Sequence, residues 1–487
     1  MSYLYEPYFE RTECWFKQEF ETAVECGYLV VPENRADPNG RLIRIAAAIL
    51  RNPDRPAKAD PIVHLAGGPG EKILHFMAEE YRNFSRFFET GRDVVIFEQR
   101  GVGWSEPALD CPQYTEAFLD ILDFDIGGRS VTAREAGEYT AEMLLDCVEK
   151  LRLEANLTSY NSRESAADVN DLRRVLGVEY LNLHGVSYGS YLALNVMRHY
   201  PETVRCAVLD AAKPLDQPLD QFPRYTARKV DAFFDACTAD DACRKAFPDL
   251  RQVYLDTLKR LEVEPIRLVV TNAVTGEPYE VLLNSTTLAF AVSQLLRRSD
   301  RIPALPMIIQ AAAQGNHSFV EKFYSFFPLV LTGLSAGMLI SVHSREKTPI
   351  GSMEAYAAAV EEAGMGSDYW DFHPAGRVDL LVGKELGTEA IEPAELEPVK
   401  SDIPTLILGG QFDPNAAEED MERLAATLAN SYKYELPWMG HSVSSNECAN
   451  RMIRAFIEDP SKAPDSSCVD EWAAQFQFIT PDTAYLE

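Results

Sequence analysis

The sequence predicts an α/β fold: a mostly parallel central sheet flanked by helices, interrupted by a large, mainly helical insertion. Three observations predict it. Short apolar runs bounded by Gly and Pro recur early in the chain, a strand–helix–strand alternation fills residues 162–210, and the same alternation resumes at 405 after a long stretch of amphipathic helical patterns. Unbroken apolar runs of strand length suit strands buried on both faces, as in a parallel sheet. Alternation at this spacing argues for right-handed βαβ units.

In chain order, strands are read at Gly27–Pro32 (GYLVVP), Leu42–Leu50 (LIRIAAAIL), Pro61–Ala66 (PIVHLA) and Asp93–Glu98 (DVVIFE). Ala166, Val169, Leu172 and Leu176 fall at helical spacing over Ser162–Leu176, with Ser162 read as the N-cap. Tyr180–Val186 is a strand, Tyr188–His199 a helix and Val204–Asp210 a strand. Residues 212–395 read as mostly helical, with amphipathic stretches at Arg224–Cys237 and Ser352–Glu362. They also hold one strand pair, Ile266–Val270 and Tyr279–Leu283, around a turn at Val274-Thr275-Gly276. Strands at Thr405–Gly409 and Tyr432–Leu436 and a helix at Glu447–Phe456 complete the pattern.

At 487 residues the chain is long enough for about three units at roughly 150 residues each, and a large core with an insertion fits as well. The expected division is 1–211 and 396–487 as two parts of one α/β core, with 212–395 as the insertion. With 46 Lys and Arg against 75 Asp and Glu, the net charge is −29. A field of that sign repels phosphates, so nucleic acid is not an expected partner. No run of about 18 uninterrupted apolar residues is present, so no membrane span is expected. The start, MSYLYEPYFERTECW, lacks the basic and apolar regions of a signal peptide.

Nine cysteines are numerous for a cytosolic enzyme. Eight fall into close neighbours, Cys14/Cys26, Cys111/Cys147, Cys237/Cys243 and Cys448/Cys468, and Cys206 is left in an apolar run as a buried free thiol. Eight cysteines allow 105 pairings, of which the nearest-neighbour scheme is one. Disulfides imply an oxidising compartment, hence a secreted or periplasmic protein whose leader is not part of this sequence; the alternative is a cytoplasmic protein with reduced thiols. No CxxC pair or histidine cluster suggests zinc, and no phosphate loop or dinucleotide fingerprint appears, so no metal or organic cofactor is expected.

The sharpest chemical signal is Gly185-Val186-Ser187-Tyr188-Gly189, a GxSxG set between a strand and a helix. On such a tight turn the serine stands exposed at the carboxyl end of the sheet, which is the nucleophile position of the α/β-hydrolase fold. A hydroxyl is a weak nucleophile and needs a base, which in turn needs a third group to hold its tautomer. In this fold the order is Ser, acid, His. Of the eight histidines, His441 in WMGHS follows the last strand and is the expected base. Asp413 in GGQFDP lies at the carboxyl end of the preceding strand and is the expected acid, whereas Asp402 precedes that strand. The oxyanion formed during acyl transfer needs fixed N–H donors. Tyr188, directly after the nucleophile, supplies one, and Gly68 of the Gly67-Gly68-Pro69-Gly70 loop is assigned the other.

Taken together, AGGPG (66–70), FEQRGVGWS (97–105), GVSYG (185–189), GGQFDP (409–414) and MGHSV (439–443) resemble the proline iminopeptidase and tripeptidyl aminopeptidase branch of the α/β hydrolases. The resemblance runs from about residue 10 to 470 and includes CGYLVVPEN (26–34) and the cysteine-bearing tail. Two positions depart from the iminopeptidases: Ala66 stands where they have His, and Glu98 where they have Asp. The resemblance implies cleavage of short peptides from a free N-terminus, with a helical cap over the site whose carboxylates hold the substrate ammonium. The cap region carries Glu354, Glu361, Glu362, Asp368 and Asp371 as candidates. The expected activity is thus a serine exopeptidase acting on small peptides. The alternatives are a carboxylesterase or other small-molecule ester or amide hydrolase, since fold and triad do not fix a substrate, and a binding protein without catalysis, which would not need the full Ser, Asp, His and Gly set. Epoxide hydrolase and dehalogenase chemistry would place an acid at 187.

Overall fold

The computed structural model describes residues 5–16, 20–37, 39–364, 366–386 and 389–482, excepting the side chains of 367, 374 and 375. The chain's first four residues, part of the segment read for a leader, lie outside the described residues.

A nine-stranded sheet organises the molecule. Its strands are β1 (Tyr8–Thr12), β2 (Val24–Pro32), β3 (Leu42–Leu50), β4 (Lys58–Leu65), β5 (Arg92–Phe97), β6 (Leu181–Val186), β7 (Val204–Asp210), β8 (Thr405–Gly410) and β9 (Ser431–Leu436). The spatial order is β1-β2-β3-β5-β4-β6-β7-β8-β9. From β5 to β9 the pairs are parallel, as expected.

At the other end the expectation of parallel strands fails. β1–β2, β2–β3 and β3–β5 pair antiparallel. The link from Pro32 to Leu42 is too short for a parallel crossover, which needs a dozen or more residues. Glu33 N–H closes it on the Arg41 carbonyl at 2.8 Å. The apolar runs read correctly as doubly buried strands because both sheet faces are covered. Ile43, Ile45, Ala47 and Ile49 of β3 join one core cluster and Ala46, Ala48 and Leu50 the other. Burial on both faces sets the composition of a strand, whichever way its neighbour runs.

The helices Ser162–Leu176 and Tyr188–His199 have the expected bounds, but Asn161 is the N-cap of the first, accepting from Glu164 N–H at 2.9 Å. Between β7 and β8 the chain is mainly helical and holds one antiparallel hairpin, Ile266–Thr271 with Pro278–Leu283. This region has its own core around Phe233, Phe290, Tyr324 and Trp370, which also takes in Phe118, Ile121 and Phe124 from a segment preceding the GxSxG motif. Four disulfides, Cys14–Cys26, Cys111–Cys147, Cys237–Cys243 and Cys448–Cys468, follow the nearest-neighbour pairing, and Cys206 is free and buried. Among the described residues no helix is long and apolar enough to cross a membrane.

Candidate active site

β6 ends at Val186 and the next helix begins at Tyr188, which leaves Ser187 alone on the corner with φ 56° and ψ −120°. Such a conformation costs about 1–3 kcal/mol for a non-glycine residue and persists only where its surroundings fix it. Here Ser187 N–H donates to the Asp210 carbonyl at 2.9 Å, and the Ser187 carbonyl accepts from Ser190 N–H and Oγ at 2.9 and 2.6 Å. The flanking glycines are sterically required. A Cβ on Gly189 would stand 1.8 Å from the Leu65 carbonyl oxygen, and one on Gly185 would stand 2.4 Å from that of Gly189.

His441 follows β9 on a loop in which Trp438 and Ser442 adopt positive φ. Its N–H donates to the Arg297 carbonyl at 2.8 Å, and Gly440 N–H donates to Ser299 Oγ at 3.0 Å. The helical region therefore braces the histidine loop directly. His441 Nδ1 lies 2.9 Å from both Asp413 carboxylate oxygens. Asp413 is fully buried at the end of β8 and also accepts Asn415 N–H at 2.8 Å. Burial pushes its carboxyl up, but His441, the Asn415 amide and the Lys213 charge outweigh that and hold it below the ordinary value.

Ser187, Gly68, Tyr188 and His441 line one cavity of about 720 Å³, with Phe290 and Leu331 of the helical region among its other walls. Asp413 stands behind His441, so the structure brings together all five residues singled out in the sequence. Gly67 donates its N–H to Glu71 Oε2 at 3.0 Å. Gly68, at φ 101°, has no room for a side chain: a Cβ would lie 2.6 Å from Gly70 N. The Tyr188 hydroxyl is 2.8 Å from Ser162 Oγ, which donates to the buried Glu346 at 2.7 Å. Ser162 thus secures the elbow's tyrosine in place of capping its own helix.

Other residues of the site carry no sequence signal of their own. The buried Asp210 carboxylate accepts Val443 and Ser444 N–H and both serine hydroxyls of the segment after His441. In the cavity wall, His64 and His184 face each other with Nδ1 atoms 3.0 Å apart, and His184 Nε2 meets Ser444 Oγ at 3.0 Å. Glu71, Lys213 and Arg297 also line the cavity. Glu71 was visible in the sequence only as the residue after GGPG. By contrast, none of Glu354, Glu361, Glu362, Asp368 and Asp371 lines it. Glu362 pairs with Arg224 and Asp371 with Arg134 and Arg377.

A stretch of this chain is 30% identical over 191 residues to the tripeptidyl aminopeptidase of Streptomyces lividans, covering 39% of this chain and 35% of that protein. Another is 28% identical over 215 residues to serine protease Hip1 of Mycobacterium bovis, covering 43% and 40%. The aligned parts thus span well under half of these relatives. The solved proline iminopeptidase of Mycobacterium smegmatis superposes at TM-score 0.37 and 13% identity, covering 92% of this chain and 100% of that one. Residues 60–447 match the family described as the alpha/beta hydrolase fold. That match takes in the elbow serine, the histidine and the aspartate together, and the chain belongs to the α/β-hydrolase fold family.

Proposed function

We propose that this chain is a serine hydrolase that works through an acyl-enzyme and releases a single residue or short peptide from the amino end of small peptides. The observation that carries this reading is the strained Ser187 corner sharing one cavity with His441, whose Nδ1 is held at 2.9 Å by buried Asp413. In this reading Ser187 Oγ attacks the scissile carbonyl while His441 Nε2 takes its proton. Asp413 stabilises the resulting imidazolium. Gly68 and Tyr188 N–H receive the oxyanion. His441 then protonates the departing amine, and water repeats the sequence on the acyl-enzyme.

Three further observations support the finer points. Residues 212–395, proposed as a cap on a core formed by 1–211 and 396–487, contribute Phe290, Phe327 and Leu331 to the cavity wall. Glu71 offers a carboxylate beside the nucleophile: the Cβ position of Gly67 is 3.1 Å from Glu71 Oε2 and 3.3 Å from Ser187 Cβ. It replaces the expected carboxylates of the helical region as the proposed holder of a substrate ammonium. Four disulfides support an oxidising, extracytoplasmic location.

The test is a rate comparison of free-amine aminoacyl arylamides, their N-blocked versions and short p-nitrophenyl esters, with Ser187→Ala as control. Turnover of free-amine amides that blocking abolishes is expected. Turnover of esters alone, indifferent to an amine, would make the chain an esterase. Fluorophosphonate labelling that persists in Ser187→Ala would remove Ser187 as nucleophile.

A further inference from the structure

The charged groups lining the cavity are unequally satisfied. Lys347 Nζ donates to the Leu215 and Gln217 carbonyls, both at 3.2 Å, and rests 4.1 Å over the Tyr191 ring. Asp379 faces His343 at 3.2 Å, and Glu80 accepts from Asn83 at 2.9 Å. Glu71 has the Gly67 N–H. Among the described residues, Lys213 and Arg297 have no carboxylate at ion-pair distance. Arg297 has only the neutral Gln294 Oε1, at 3.3 Å.

Both are rigidly placed. Lys213 follows the end of β7, two residues after the positive-φ Ala211. Arg297 caps the helix Ser285–Leu296, and its carbonyl holds the His441 N–H. The Arg297 charge acts against that of Lys213, and both are drawn toward Asp413, whose oxygens are already taken by His441 and Asn415; Asp420 also acts on Lys213, and Glu71 on Arg297. Neither cation has a direct ion-pair partner among these acids, and an entering carboxylate would supply one at hydrogen-bond distance. Lysine supplies a point charge and arginine a planar fork, a pair suited to a carboxylate.

We propose that Lys213 and Arg297 form a carboxylate-binding subsite in the cavity of Ser187, so that the preferred substrate carries a carboxylate within reach of the scissile bond. That carboxylate is the C-terminus of a short peptide or an acidic side chain. The substrate assignment rests on the hydrolase reading above; the anion site itself does not. The net charge of −29 makes the inference a sharp one, because the protein's overall field disfavours anions. Only local geometry can reverse that preference at ordinary ionic strength, where screening acts over about 8 Å.

Calorimetric titration of the Ser187→Ala protein reads the subsite without turnover. The ligands are two matched pairs: Ala-Ala against its C-terminal amide, and Ala-Glu-amide against Ala-Gln-amide. The acid member of at least one pair is expected to bind tenfold tighter or more, and the pair that responds identifies which carboxylate is read. Lys213→Met combined with Arg297→Gln should bring that ratio below threefold in protein whose unfolding transition stays cooperative; Arg297→Lys keeps the charge and should retain part of the ratio if the double variant does not fold. Equal affinities within both pairs, or no binding of any of the four, overturns the subsite. Fluorophosphonate labelling of the unmutated protein is read separately. Labelling without carboxylate preference leaves the hydrolase reading standing alone, and carboxylate preference without labelling leaves the anion site standing alone.

Discussion

Asp210 joins the two halves of the site through its two ends. Its main-chain carbonyl accepts the N–H of Ser187 at 2.9 Å, and its carboxylate accepts Val443 N–H at 2.9 Å and Ser444 N–H at 2.8 Å, just beyond His441. A single residue at the end of β7 therefore ties the elbow to the histidine loop. The loop itself has no regular secondary structure, so its position depends on these hydrogen bonds together with those of His441 and Gly440 to Arg297 and Ser299.

Asp210→Asn should lower kcat by about 10²-fold with little change in KM, since a displacement of roughly 1 Å costs that much when reacting groups must be aligned. An amide presents one acceptor oxygen and turns its NH₂ toward donors that need an acceptor. Slowed fluorophosphonate labelling at unchanged circular dichroism is the expected signature. Labelling at the original rate would show that the loop is held by other contacts.

The His64–His184 pair gives a pH dependence of stability. Burial lowers both, and His184 is brought down to about 4 from 6.5. Neutral rings are consistent with the hydrogen bonds: Ser444 Oγ gives its proton to Asp210, so it accepts from His184 Nε2–H, and His184 Nδ1 accepts from His64. The folded state therefore binds fewer protons than the unfolded chain between pH 6.5 and 4. The His184 contribution is full above about pH 6.5 and is lost as pH falls through that window, by up to about 1.4 kcal/mol per pH unit. Urea unfolding of the protein and of His184→Asn at pH 7.5, 5.5 and 4.5 should show the difference between them shrinking as pH falls. A constant difference would mean that the fold does not lower the proton affinity of His184.

Gly189→Ala should destabilise by about 3 kcal/mol or more, because the new Cβ must push aside the backbone of β4 at Leu65. Gly177, unlike Gly189, has a positive φ but a Cβ there meets open space, so Gly177→Ala should cost only about 1–2 kcal/mol. Denaturant midpoints of the two variants measure the contrast, which isolates the steric demand of the elbow from backbone strain alone.

The unreduced, denatured protein should titrate a single thiol. In the native state Cys206 should be inert, since burial pushes its thiol up to about 12. Removing Cys111–Cys147 by paired alanines should cost about 4 kcal/mol and removing Cys237–Cys243 about 2 kcal/mol, following the closed spans of 36 and 6 residues. Two or more free thiols, or equal losses, would count against the pairing or against an unfolded-state origin of its effect.

What the sequence determined by itself was whatever depends on neighbours along the chain. GVSYG between an apolar run and a helical pattern specifies a strand-to-helix corner, although the clash that excludes a side chain at Gly189 comes from Leu65, far away in the chain. The order of Ser187, Asp413 and His441, each at a strand's carboxyl end, was readable because a parallel sheet places those ends on one edge. The doubly buried strands were readable from composition, and the cysteine neighbours from spacing. Tertiary structure alone decided the rest. Strand direction at β1–β3 depends on which edges meet. Asp210 looks like the last residue of an ordinary strand until the loop 442–444 folds against it. The acids expected to receive an ammonium were chosen by their place in the helical region, yet none lines the cavity and Glu362 and Asp371 pair with arginines instead, while Glu71, Lys213 and Arg297 reach the cavity from segments far apart in the chain. Hydrogen bonds and charge interactions between distant segments act through space, and a one-dimensional pattern does not encode those distances.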